Sequence, residues 1–448
     1  MQKHAFRTIA LLLVLSITVK AHSEENWSQF RGPNAAGVST HTKFPSKWSP
    51  SENIAWKTDL PGRSWSSPIV WGKKVFVTAV VNSVENEKPK KGLYFGGERP
   101  EPKSLHESKV FCLDLITGKT LWERTVHSGV PQTSVHLKNS YGAETPVTDG
   151  KLVYALFGGL GVFALSLDGK EVWSKKLDPR ATRFGWGYAA SPVLHKGRLY
   201  IVNDNEDRSE LLSLDAKTGK EVWRVERDEK SNWATPFIWN NKNRMELVTS
   251  GTRAVRSYDL NGKLLWSLRG MSSIAIPTPV AGAGMLFVSS GYVGDRLRPL
   301  YAIRPGASGD ITLKPGETSN DFIAWSNSTA GPYNPSPLFY DGRVYVLYDR
   351  GLVSCFDSKT GKMLYDRERL SPGAGFTSSP WAAGENIFCL NEDGDCYVLR
   401  AGDKFALRQI NRLGDDDMCM ATPALVGDRL LIRTASGIIC VQDGVGRQ

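Results

Sequence analysis

Carboxylates, amides and aromatic rings are the side chains of this 448-residue sequence that could do chemistry. Two acidic runs, "NDNEDR" at Asn203 to Arg208 and "DDD" at Asp415 to Asp417, carry the hard oxygen ligands that Ca²⁺ takes. The first sits where a polar hairpin turn is expected and reads as a solvated loop. The second precedes a strand and is the better cation candidate. "NEDGD", from Asn391, lacks full calcium-loop spacing and reads as a turn. The seven His are scattered, and His106, His127 and His136 fall in or near loops at no metal-ligand spacing. Neither a G-x-S-x-G elbow nor a phosphate-binding P-loop occurs. A third kind of candidate recurs: Asp114, Asp215 and Asp357 each stand four residues before a Gly, and an aromatic follows, as in "CLDLITGKTLW".

That recurrence decides against catalysis at these Asp residues, because one reaction does not need the same base in many copies. Full copies run Cys112 to Trp122, Ser213 to Trp223 and Cys355 to Tyr365, with shorter ones ending at Trp173 and Trp266. Trp56 and Trp325 hold the same final place without the turn. Gly118, Gly219 and Gly361 suit a left-handed turn. The Asp caps that turn through nearby backbone N–H groups. The Trp fills a wedge between neighbouring units.

A second repeat sets the period. Ser-Pro or Thr-Pro precedes a short apolar run at Pro68, Pro146, Pro192, Pro236, Pro279, Pro337, Pro380 and Pro423. The spacing is mostly 43 to 46 residues, and each unit reads as four short strands split by turns. The predicted fold is all-β: an eight-bladed β-propeller of four-stranded antiparallel blades over 53–448. The eighth unit has three strands, and "NIAWKTDL" (Asn53 to Leu60) supplies the fourth, closing the ring. Residues 22–52 are expected as an extended lead-in over the outside, and 81–107 and 292–322 as insertions in blades one and five.

In such a ring the residues just before each Ser/Thr-Pro surround one mouth of the central channel. They include Arg63, Trp65, Tyr141, Glu144, Trp186, Tyr188, Trp233, Tyr333, Asn334 and Asp417. Aromatics mixed with a few polar groups suit a planar ligand, a sugar or a peptide strand.

The Asp–Thr–Gly–Trp pattern resembles the tryptophan-docking motif of the quinoprotein-type, PQQ-like propellers, and the resemblance covers residues 53 to about 443. That family holds pyrroloquinoline quinone (PQQ) alcohol dehydrogenases and the cofactor-free propeller lipoprotein of the outer-membrane β-barrel assembly machine. The enzyme branch implies PQQ, Ca²⁺ and an Asp base, but no residue here matches those ligands position by position, and no two Cys are adjacent as in the ring disulfide of that branch. The residues assign no cofactor and no catalytic group. The main expectation is a non-catalytic binding or scaffold protein of the cell envelope. A PQQ-dependent dehydrogenase and a carbohydrate-binding propeller stand as alternatives.

Charge and leader complete the reading. A formal charge of +10 favours anionic partners in general, without a basic run that reads as a nucleic-acid arm. Residues 1–21, with Lys3, Arg7, an apolar run and "VKA", read as a cleaved secretory signal. No Cys follows it for lipid attachment, and no later run is long enough to span a bilayer. A periplasmic or secreted monomer with a protein or glycan partner is expected. The six Cys read as buried thiols, and a Cys389–Cys396 disulfide across their hairpin stays open.

Overall fold

Short runs with alternating or continuous burial, each ended by a Gly turn, build this molecule from strands alone, apart from two short 3₁₀ turns at Pro33–Ala35 and Arg183–Gly185. The computed structural model describes residues 26–41, 43–84, 88–414 and 417–445. Residues 1–21, expected as a signal, and Asp415 and Asp416 lie outside them. Eight sheets of four antiparallel strands form the blades. Blades 1 to 7 span residues 69–129, 147–176, 193–226, 237–269, 280–327, 338–369 and 381–412. Blade 8 joins 424–442 to the early strand Ile54–Asp59, which pairs antiparallel with Gly437–Gln442. The ring therefore closes as the sequence predicts.

Two kinds of fastener join the blades. At the outer rim, each Trp stacks on the turn Gly of the next blade and donates its indole N–H to a carbonyl there. Trp56 Nε1 donates to Leu115 at 3.0 Å, Trp122 to Leu167 at 3.0 Å, and Trp173 to Ala216 at 2.9 Å. Trp223 reaches Leu260 at 3.1 Å and Trp325 reaches Ser358 at 2.9 Å. A Cβ on Gly118, Gly219 or Gly361 would lie 2.5 or 2.6 Å from the docked Trp ring, and all three have φ near +71°. Asp114 Oδ1 accepts from the Thr117 N–H (2.8 Å) and hydroxyl (2.9 Å), and Asp215 and Asp357 cap their turns in the same way.

At the axis, the Ser or Thr before each Pro joins a collar. At six of the eight junctions its N–H donates to the hydroxyl of the next blade's Ser or Thr: Ser67 to Thr145 (3.0 Å), Thr145 to Ser191 (2.9 Å) and Ser191 to Thr235 (3.1 Å). Thr278 donates to Ser336 (3.0 Å), Ser336 to Ser379 (2.9 Å) and Ser379 to Thr422 (3.0 Å). The Pro that follows begins an innermost strand, where a sheet edge faces the channel and an N–H would have no ladder partner.

Three places depart from the repeat. Blade 7 has Gln409 where six blades have Trp and blade 6 has Tyr365, since Gln409 pairs with Val398. The lead-in fills that wedge: Phe44 and Trp48 pack on Phe388, and Gln409 Nε2 donates to the Ser46 carbonyl. The lead-in is thus not an outer wrap. Trp27 pairs with Val70, the Thr148 N–H donates to Ser28, and Val38–Ser39 pairs with Ala382–Ala383, so it runs along innermost strands across the lower channel. In blade 5 the expected 292–322 insertion is interrupted by a strand, Leu300–Ile303. Pro and Arg around it hide its short apolar run. The remaining long loop lays Gly309–Asp310 beside Trp266, which donates not to blade 5 but to buried Glu246 (2.7 Å) of its own blade.

The acidic run at Asn203 is not a solvated loop. Asp204 and Arg227 are both 0 % exposed and form a two-pronged ion pair at 2.8 and 2.9 Å, with Asn232 also donating to Asp204. All six Cys are free and buried. Cys389 lies opposite Tyr397, and Cys396 opposite Leu390, so the two thiols face opposite sides of blade 7 and enter different core clusters.

Rim docking makes a graded prediction. Gly118→Ala meets both a positive φ and the Trp56 ring, whereas Gly284→Ala meets a positive φ of 78° and nothing within 4 Å. Gly284→Ala is expected to cost about 1 kcal/mol and Gly118→Ala about 2 kcal/mol more. Urea midpoints of the two variants measure the difference.

Candidate functional site

The collar hydroxyls line an axial cavity of about 230 Å³. Its upper walls are aromatic because loops crossing between blades bring Trp65, Trp186, Trp233 and Tyr333 to the axis, with Asn334 beside them. Trp65 Nε1 donates to the Lys138 carbonyl (2.7 Å) and Trp233 Nε1 to the Gly187 carbonyl (2.7 Å), which fixes both rings. Trp186 and Trp233 have centroids 6.1 Å apart. Asn334 Nδ2 and backbone N–H, with the Tyr333 N–H, donate to Asp349, a buried carboxyl whose desolvation pushes it up to about 6.

Segments from outside the blades reach both ends of the cavity, which stays partly open. Phe30 of the lead-in contributes to its wall from below. Above, the blade 1 insertion crosses the mouth as a strap, with Gly92, Leu93 and Tyr94 at the cavity. Glu392, from the "NEDGD" turn of blade 7, accepts the Gly92 N–H (2.7 Å), the Thr377 hydroxyl (2.6 Å) and the Lys138 ammonium. Lys138 also donates to the Gly92 carbonyl (2.7 Å), and Lys91 pairs with Asp393 (2.9 Å). The Lys138–Glu392 pair is largely buried, at 12 % and 1 % side-chain exposure. His136 Nδ1 accepts the Lys138 N–H, so its Nε2 donates to the Phe95 carbonyl at 3.1 Å. Burial lowers the pKa of His136, consistent with that neutral form.

The other predicted mouth residues lie elsewhere. Arg63 and Tyr141 line a separate polar pocket of about 240 Å³ with Arg99 and His106. Glu144 and Tyr188 lie at the seam between blades 2 and 3, where the Glu144 carboxylate accepts the Gly158 N–H at 2.9 Å. Asp417 accepts the Ser436 N–H (2.9 Å) and hydroxyl (2.6 Å) in blade 8. Lys138, His136, Asn139 and the strap join the cavity without a sequence signal beyond membership of loops and an insertion. Among the described residues no group of three His, Cys, Asp or Glu side chains could hold a metal ion.

A PQQ–Ca²⁺ centre can be tested against this donor set. No Asp or Glu among the described residues lines the cavity, and Glu392 and Asp349 are committed to Lys138 and Asn334. A quinone with three carboxylates would meet one ammonium that already has a carboxylate partner. The residues present do not fit that group with its metal, since unpaired buried charge is costly.

Two predictions follow from these environments. Glu392→Gln is expected to speed amide exchange at residues 91–95 about tenfold or more, leaving blade amides unchanged, because it weakens hydrogen bonds to a charged acceptor. Hydrogen-exchange mass spectrometry reads it. Burial without a cationic partner pushes Glu144 from 4.5 up to about 7. The folded chain then keeps a proton that the unfolded chain releases. Stability therefore falls as pH rises from 4.5 to about 7, by up to about 1.4 kcal/mol per pH unit. Glu144→Gln is expected to flatten that slope in denaturation midpoints taken across the window.

Similarity to known proteins accords with the architecture. A polyvinylalcohol dehydrogenase from a Pseudomonas species is 21% identical over 409 residues, covering 80% of this chain and 54% of that protein. The chain thus spans about half the length of that relative. The quinohemoprotein alcohol dehydrogenase of Comamonas testosteroni superposes with a TM-score of 0.63 at 14% identity, covering 95% of this chain and 81% of that one. The computationally designed Ika8 protein superposes with a TM-score of 0.55 at 12% identity, covering 91% of this chain and 99% of that one. These superpositions establish the fold alone. No helix among the described residues is long and apolar enough to cross a membrane. A family model described as outer membrane protein assembly factor BamB matches residues 47–183, 161–295 and 317–447, and the chain belongs to that family of PQQ-like propellers.

Proposed function

We propose that this chain is an exported propeller whose axial cavity binds a small flat ring molecule. One observation carries the reading: a cavity bordered by strap and lead-in, with three Trp and two Tyr in its lining, and lined by no carboxylate among the described residues. Flat aromatic walls favour a planar ligand through stacking and apolar burial. The cover of strap and lead-in disfavours a glycan strand or peptide threaded along the axis. For the same reason the geometry supports a small-molecule site better than an assembly scaffold acting through its channel.

A second reading, a quinoprotein dehydrogenase, is favoured by the likeness to polyvinylalcohol dehydrogenase, and the comparisons support it better than a non-catalytic scaffold. It needs a cofactor set that these side chains do not match.

One pair of measurements separates the two. Native mass spectrometry of the protein from its own source is expected to show a co-purifying small molecule, lost in the double variant Trp65→Ala, Trp233→Ala. Incubation with PQQ and Ca²⁺ is expected to give neither a quinone absorbance shift nor dye reduction with alcohols. Dye reduction would instead establish the dehydrogenase.

A further inference from the structure

We infer that the stretch "KGLYFGG", Lys91 to Gly97, is a hinged lid, and that ring molecules enter and leave the axial cavity through the end it crosses. The inference rests on the cavity reading above and adds the route and its control. Backbone geometry supplies the hinges. Gly92 has φ 91°, Gly96 72° and Gly97 68°, so left-handed glycines bracket Leu93, Tyr94 and Phe95. A Cβ on Gly92 or Gly97 would meet nothing within 4 Å. Packing therefore does not call for glycine at these two positions, and backbone freedom does.

The fastenings differ at the two ends of the cavity. Below, the lead-in is stitched by backbone: Trp27 and Val70 exchange N–H···O bonds at 2.9 and 2.8 Å, and Ala382 donates to the Gly37 carbonyl at 3.0 Å. Above, no backbone–backbone hydrogen bond holds residues 91–97 among the described residues. Their bonds run to side chains instead. Glu392 accepts the Gly92 N–H, Lys138 donates to the Gly92 carbonyl, and His136 donates to the Phe95 carbonyl. One carboxylate thus governs the hinge, because Glu392 also neutralises the Lys138 that holds Gly92.

The apolar side of the lid is seated but not buried. Leu93 packs on the cluster of Trp186, Trp233 and Tyr333. Tyr94 lies 5.4 Å from His136, and Phe95 lies 5.1 Å from Phe184 and 5.7 Å from Trp186, centroid to centroid. Phe95 nevertheless stays 52 % exposed. Segments with few buried apolar contacts open locally at low cost. Leu93 and Tyr94 also line the cavity, so a bound ring touches the lid and favours its closed position.

The test asks how fast a ring-bearing reagent reaches the cavity. Ala189→Cys puts a thiol in the cavity wall, and the six native thiols are buried. Labelling at position 189 by N-phenylmaleimide is timed by peptide mass spectrometry. Adding Glu392→Gln is expected to speed labelling about tenfold, since it weakens a bond to a charged acceptor. Asp393→Asn, which removes the partly exposed Lys91–Asp393 pair, is expected to speed it about threefold. Gln29→Ala, which removes a bond to the Gly32 carbonyl within the lead-in, is expected to leave the rate unchanged. A rate that neither lid variant raises, or that Gln29→Ala raises as much, overturns the lid. Excess 2-naphthol tests the cavity reading separately, by protecting the introduced thiol. Protection without a response to the lid variants overturns the lid and keeps the cavity reading. A response to the lid variants without protection keeps the lid and overturns the ring-binding reading.

Discussion

The structure depends on one hydrogen bond repeated at six of the eight blade junctions, in which the backbone N–H of the residue ahead of the Pro meets the hydroxyl of the next blade. It answers two needs at once. A propeller leaves eight innermost strands with an edge toward the axis, and an edge must be paired, covered or stripped of donors. Pro strips a donor, and the preceding Ser or Thr turns the adjacent N–H into a tie between blades. Because the ties run around the axis, the same hydroxyls that hold the ring together also line its cavity. Structure and candidate site therefore share atoms, and the cavity floor cannot be rebuilt without loosening the ring.

The rim fastening works by a different force. A Trp face fits against a Gly with no Cβ, and the indole N–H finds a carbonyl at about 3 Å. Its failures are informative. Blade 7 lacks the Trp, and the lead-in brings Phe44 and Trp48 to the gap. Trp266 turns back to Glu246 because a long loop replaces the turn that would have received it. In these two places a segment from outside the repeat makes the replacement, while in blade 6 Tyr365 takes the Trp's place and packs on Phe405 of the next blade.

This pattern explains what could be read from the residues alone. Asp114, Gly118 and Trp122 were legible as structural because copies of them recur, and repetition is a local signal. The fold followed from counting them. Lys138 and Glu392 were not legible, since their pairing links loops 254 positions apart and neither loop is unusual by itself. Asp204 looked like a surface acid because its neighbours are polar, while the partner that makes its burial tolerable, Arg227, lies a strand away. The mouth residues divided for a geometric reason. Loops before a blade bring some residues to the axis and turn others toward a seam, so Trp186, Tyr333 and Asn334 reach the cavity whereas Glu144 and Tyr188 do not.

The closing strand has a consequence for the order of assembly. Ile54–Asp59 must wait for Gly437–Gln442, its hydrogen-bonded neighbour, and nearly the whole chain lies between them. Contacts so distant along the chain form late, after the loop they close has been shortened by local structure. During synthesis, blades 1 to 7 can form hairpin by hairpin, while one β-strand stays unpaired with its edge exposed. The final turn of growth converts an open, left-over edge into a sealed circle, so the molecule reaches its enclosed form in a single terminal step.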